Sequence, residues 1–90
     1  MITLTGRLIC GNMVEAELVS SLVAEHVRLS RAEPGCLSFN VSPTADPLIW
    51  LVDEAFADRA AFEAHQARAR AGAWHKATAH LRRDYRTTGL

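Results

Sequence analysis

Trp50-Leu-Val-Asp-Glu-Ala-Phe56, followed after Ala57 by Asp58-Arg-Ala-Ala-Phe-Glu-Ala-His65, decides how the chain folds. Side chains alternate along a strand, so Leu48, Trp50, Val52, Glu54 and Phe56 share one face. Ile49, Leu51, Asp53 and Ala55 share the other. Both faces are mostly apolar up to Asp53, and a strand apolar on both sides needs a cover for each. Asp58 is a good N-cap for a helix that follows at once. Ala61, Phe62, His65 and Ala69 form that helix's inner stripe. The Ala/Arg-rich run from Ala64 to Ala71 has strong helix propensity.

Working outward, Cys36 to Ser42 also alternates, with Leu37, Phe39 and Val41 on one face and Ser38, Asn40 and Ser42 on the other. Pro43 to Pro47 is a turn, so these two strands form an antiparallel hairpin. Before it, Val14, Leu18, Leu22 and Leu29 recur at helical spacing, with Val19, Val23, His26 and Val27 beside them. His26, at the edge of that stripe, is expected to be half exposed. Pro34-Gly35 stops the helix. Ile2 to Cys10 is a strand with Ile2, Leu4, Leu8 and Cys10 on one face, and Gly6 marks a bulge or a close backbone approach. Downstream, Gly72 breaks the second helix, Ala73 to Leu81 is a further short helix, and Arg82 to Thr88 is a last strand.

The order is β-α-β-β-α-β with an extra helical turn. This predicts an α+β fold, a ferredoxin-like antiparallel sheet, in one domain over residues 1–90. Right-handed crossovers put both helices on one face of the sheet. The other cover for the central strand is expected to be a second copy of the sheet, in a homodimer joined through sheet faces. A chain of 90 residues buries only about 60–65% of its unfolded surface, so an oligomer would relieve a small core.

The bulk chemistry excludes several classes of function. The formal net charge is zero, and nucleic acids and anionic membranes both draw on a basic surplus. Neither is expected as a partner. Arg82, Arg83 and Arg86 make a short basic end interrupted by Asp84, read as a solvated strand edge or an anion contact. No apolar run is long enough to span a bilayer. No charged segment followed by an apolar run opens the chain, so no signal peptide is expected and the protein is placed in the cytoplasm. The two cysteines, Cys10 and Cys36, lack metal or redox spacing and read as buried thiols.

No nucleotide-binding loop or nucleophile elbow is present. The four histidines do not fall into a zinc pattern: His75 and His80 miss the i, i+4 spacing that stacks two ligands on one helix face. His65 is the most informative residue. Small alanines beside it leave room for a cavity, where a histidine can take or give a proton. The alternative is a core histidine satisfied by one bond. Glu54 is a carboxylate near the end of a buried strand, which is costly unless paired. It either pairs with an arginine such as Arg7 or Arg86, or it orients a histidine or accepts a substrate hydroxyl. Trp50 and Trp74 are either walls for a flat ligand or simply core. Asn40, Tyr85 and Arg86 are further polar candidates on strands.

Glu33-Pro-Gly35 before a strand, then Glu54-x-Phe56-x-Asp58 with Ala61 and His65, and later Trp74-His75, resemble the antibiotic biosynthesis monooxygenase (ABM) family over nearly the whole chain. The resemblance implies a dimeric α+β barrel, two ferredoxin-like sheets packed face to face. It implies oxidation of a quinol-like or polyphenolic small molecule with O2 as co-substrate and without metal or flavin. His65 would accept the phenolic proton, with Glu54 beside it. Trp50, Phe56, Phe62 and Trp74 would line the pocket, and Asn40, His75 and Arg86 would supply polar contacts. The family also includes haem-degrading members with an Asn on the first strand, where this chain has Arg7. Isomerases and non-catalytic binding modules on the same fold are the remaining alternatives, since a fold does not fix a reaction.

Overall fold

A computed structural model describes all residues from Met1 to Leu90. The elements are β1 (Ile2–Ile9), α1 (Met13–Arg31), β2 (Cys36–Pro43), β3 (Ile49–Phe56), α2 (Arg59–Arg70), α3 (Ala73–Thr78) and β4 (Arg82–Thr88). The strands form one antiparallel sheet in the order β2-β3-β1-β4. The α+β, ferredoxin-like architecture expected from the sequence is therefore present.

Local chemistry sets the boundaries. Asn12 caps α1, its side chain accepting from the Glu15 backbone N–H at 3.0 Å, while the Glu15 carboxylate accepts from the Gly11 N–H at 2.6 Å. Asp58 caps α2 by accepting from the Ala61 N–H at 2.8 Å. Each cap satisfies a backbone donor that the first helical turn leaves free. Gly72 separates α2 from α3 as its spacing predicts. α3 stops at Thr78, earlier than expected, and the Thr78 carbonyl there accepts from the Leu81 N–H at 3.0 Å and from the Arg83 side chain at 2.7 Å.

The inner face of the sheet carries Ile2, Leu4, Leu8, Phe39, Trp50, Val52 and Phe56, all buried. Register stacks them across the strands: Ile2 faces Phe56, Leu8 faces Trp50, and Glu54 lies between Leu4 and Phe39. Ala16 and Val19 of α1 and Phe62 of α2 complete the core. Each large apolar side chain removed from water contributes roughly 1.5–3 kcal/mol. At Gly6 the chain has φ +151° and a β-carbon would sit 2.1 Å from the Asp84 carbonyl oxygen. The close approach is to β4, and it lets β1 and β4 pair without a gap.

Three readings of the sequence are corrected. The inner stripe of α1 is Ala16, Val19, His26 and Ser30, with Val14, Leu18 and Leu29 exposed. The leucine row was the more hydrophobic one, but the helix is rotated so that small residues approach the sheet. His26 is consequently buried, at 6% exposure. Leu37 does not join Phe39 and Val41, because an irregularity between Cys36 and Ser38 shifts the register and turns it to solvent. The outer sheet face is mixed: Ile9, Ile49 and a half-exposed Leu51 lie beside Thr5, Asp53 and an Arg7–Asp84 ion pair at 2.7 Å.

Candidate active site

His65 comes from the middle of α2, and its ring is buried between Phe39 and Phe56, with ring centroids 5.1 and 5.0 Å away. Its Nδ1 lies 2.7 Å from Oε1 of Glu33. Arg68, one turn further along α2, donates to the same oxygen at 3.0 Å and to Ser30 Oγ at 2.9 Å. Burial pushes the Glu33 carboxyl up, but the bonds from Arg68 and His65 outweigh it and hold the group below the usual carboxylate range. An ionised carboxylate only accepts, so Nδ1 must carry the hydrogen. In the neutral ring Nε2 then keeps its lone pair.

Gly35 makes this geometry possible. It has φ +83°, and a β-carbon there would lie 2.6 Å from that of Ala61. Its carbonyl accepts from the Ala57 N–H at 2.7 Å. The turn that carries Glu33 is thereby pressed against the start of α2, and Glu33 reaches His65 from 32 residues away.

Nε2 points towards Glu54, whose Oε1 is 3.8 Å away, too far for a hydrogen bond. Both residues line a cavity of about 280 Å³. Its walls are Leu4, Glu54 and Tyr85 from the sheet, His65, Gln66 and Ala69 from α2, and Trp74 from α3. His26 lines it as well, stacked on Trp74 at 4.4 Å with planes 4° apart. Alanines 69 and 79 leave the volume that larger side chains would fill.

Burial raises the Glu54 carboxyl to about 8, helped by the charges of Glu33 and Asp53. It is therefore neutral at pH 7 and can donate a hydrogen bond. Burial also pushes His26 down to about 3, with His65 and Arg68 adding repulsion. His26 is an uncharged wall, and its Nδ1 has no partner. Tyr85 is raised to about 12, again mainly by burial, so its hydroxyl keeps its proton. The cavity thus places a protonated carboxyl and an imidazole lone pair side by side. Pairs of titratable groups driven to different protonation states are a common basis for acid–base chemistry. No three His, Cys, Asp or Glu side chains converge as metal ligands would.

Of the residues singled out from the sequence, His65, Glu54, Trp74, His75 and Tyr85 meet at this cavity. Trp50, Phe56 and Phe62 do not line it; they are core, and Phe56 backs the His65 ring. Asn40 and Arg86 face away, because each alternates with an inward neighbour, Phe39 or Tyr85. Asn40 instead accepts from Arg31 at 2.9 Å on the other side. Glu54 pairs with neither Arg7 nor Arg86, and the carboxylate that orients His65 is Glu33. Sequence reasoning missed Glu33, Arg68 and His26 as site residues. Only the Glu33-Pro-Gly35 signature hinted at the first.

No curated protein matches the chain. Among solved structures, a candidate antibiotic biosynthesis monooxygenase of Nitrosomonas europaea superposes with TM-score 0.83 at 21% identity, covering 100% of this chain and 98% of that one. PA3566 of Pseudomonas aeruginosa is 26% identical with TM-score 0.74, covering 99% and 90%. SnoaB of Streptomyces nogalater, a cofactor-independent oxygenase, shares the fold at 16% identity and TM-score 0.76, covering 99% and 91%. Residues 15–77 match the antibiotic biosynthesis monooxygenase family, a span that includes Glu33, Glu54, His65 and Trp74, and the chain belongs to that family.

Proposed function

We propose that the protein is a cofactor-independent monooxygenase that oxidises a quinol-like or polyphenolic small molecule with O2. The observation that carries this reading is the Glu33–His65 pair, which turns an imidazole lone pair towards the cavity beside the neutral Glu54. A phenol bound against Trp74 would give its proton to His65 Nε2. The resulting imidazolium is stabilised by the Glu33 carboxylate behind it, as a buried carboxylate stabilises histidine in acyl-transfer enzymes. The phenolate passes an electron to O2, and the two radicals combine into a peroxy adduct at a ring carbon that bears hydrogen. Loss of water leaves one oxygen atom as the new carbonyl. Glu54, as a neutral acid, is placed to protonate the departing oxygen. The fold shared with SnoaB supports the absence of a cofactor.

The working form in this reading is a homodimer joined through the outer sheet face, where Leu51 stands half exposed between polar neighbours. The test is an aerobic and anaerobic panel of hydroquinones, naphthols and anthrones, followed by quinone absorbance and by ¹⁸O transfer from ¹⁸O2. An oxygen-dependent rate with label in the product is expected for at least one compound. His65→Ala should lower that rate by about 10²–10⁴-fold, the usual contribution of a general base. Binding with no oxygen-dependent rate for any compound would leave the cavity as a non-catalytic ligand site.

A further inference from the structure

The rim of the cavity is chemically unlike its floor. His26, Glu54 and His65 are buried, whereas Arg70, His75 and Arg83 are exposed residues on the same lining. Glu54 is the lone carboxyl in that lining, and it lies at the buried end. Neither Arg70 nor Arg83 has a carboxylate partner: the acidic side chains nearby are taken by His65, Arg68, Arg7 and His80. Arg83 is held in place all the same. Its Nη1 donates to the Thr78 carbonyl at 2.7 Å and the Leu81 carbonyl at 3.3 Å, and its Nη2 donates to Thr78 Oγ1 at 2.9 Å, which leaves the Nε–H and one Nη2–H over and fixes the guanidinium on the same cavity wall as Tyr85. Alternation along β4 sends Arg83 and Tyr85 inward, while Arg82 and Arg86 go to the outer face.

We propose that Arg83 and Arg70 form an anion subsite at the cavity rim, and that the ligand is an aromatic compound carrying a carboxylate at the end opposite the group that meets His65. This rests on the reading of the cavity as the substrate site. Two unpaired guanidiniums at the mouth of a pocket whose floor holds no charged carboxylate at neutral pH attract an anion and orient it. The Nε–H and the remaining Nη2–H of Arg83 form one edge that matches a carboxylate, with the Tyr85 hydroxyl on the same lining as a further donor. A ligand held this way presents its opposite, uncharged edge to Nε2 of His65. The assignment also explains why Arg83 is immobilised instead of being left to trail in solvent.

Binding can be measured apart from oxidation, with probes that cannot be oxidised at this site. Fluorescence of Trp74, or chemical shifts, would report 2-naphthoate against 2-naphthamide in the absence of oxygen. The acid is expected to bind about tenfold or more tightly than the amide, the difference typical of a charge-assisted contact. The preference should weaken with added salt. Arg70→Gln, at an exposed residue with no side-chain bonds to lose, should reduce it several-fold, and Arg83→Gln should abolish it. Arg82→Gln, on the outer face of the same strand, should leave it intact. Equal binding of acid and amide, or a preference that survives the Arg70→Gln/Arg83→Gln double change, would overturn the subsite. If Arg83→Gln fails to fold, Arg70→Gln and the salt dependence still decide. A clear acid preference with no oxygen-dependent chemistry would remove the monooxygenase reading and keep the subsite; oxidation of neutral quinols with no acid preference would do the reverse.

Discussion

At the scale of single residues the site turns on two glutamates with opposite electrostatic fates. Glu33 is held ionised by Arg68 and His65, and Glu54 is held neutral by burial. Glu33→Gln keeps an acceptor for Nδ1 but removes the charge that stabilises the imidazolium. It is expected to lower kcat by roughly 10–100-fold with little change in KM, read from steady-state oxidation of whichever quinol the panel identifies. Glu54→Gln keeps a neutral donor. The amide cannot give up a proton, so at pH 7 the variant should lose the general-acid contribution, about 10²-fold or more in rate. The parent should lose activity as Glu54 ionises near pH 8, and the variant should not. Matching alkaline limbs in the two pH–rate profiles would mean that Glu54 is not the acid.

At the scale of elements, the site depends on one loop being pressed against one helix. Gly35→Ala would force a β-carbon into Ala61 at a positive φ. The expected cost is about 1–3 kcal/mol, and the displaced turn should pull Glu33 from His65. Thermal unfolding should therefore fall by several degrees, and activity should fall further than stability alone explains. Asp58→Ala removes the α2 cap without touching the Glu33 loop. It should cost about 1 kcal/mol and leave the activity of the folded fraction intact. The contrast separates loss of helix from loss of contact.

At the scale of the whole molecule, the buried titratable groups set a pH window for folding. Glu54 has a raised pKa, so its stability contribution is full below about 4.5 and is lost as pH rises towards about 8. His26 has a lowered pKa, so its contribution is full above about 6.5 and is lost as pH falls towards about 3. Between 4.5 and 6.5 the two slopes oppose each other, each at about 1.4 kcal/mol per pH unit for one proton. Stability from urea titrations should thus be nearly flat in that interval and decline on both sides. Glu54→Gln should remove the decline between about pH 6.5 and 8. On the outer sheet face, Leu51→Lys is expected to shift light-scattering mass from dimer to monomer, since a charge would replace the half-exposed apolar centre of the proposed interface. An unchanged mass would place the interface elsewhere.

The sequence by itself determined the elements and their order. Strand alternation from Leu48 to Phe56, the Asp58 cap and the breaks at Pro34-Gly35 and Gly72 are local signals, and period and capping depend only on near neighbours. It also put His65 and Glu54 on faces that meet. Tertiary structure alone decided which row of α1 faces the sheet, because the leucine row and the smaller valine–histidine row both keep helical period and only the available space selects between them. It turned Leu37 outward through a register shift that alternation cannot foresee. It also decided what His65 bonds to. Glu33 lies in a loop without periodicity, and its contact with a residue 32 positions away exists because Gly35 lets two backbones approach. The same packing divided the arginines of β4, sending Arg83 to the cavity and Arg86 away from it, a choice fixed by pairing with β1 and invisible in a run of like charges.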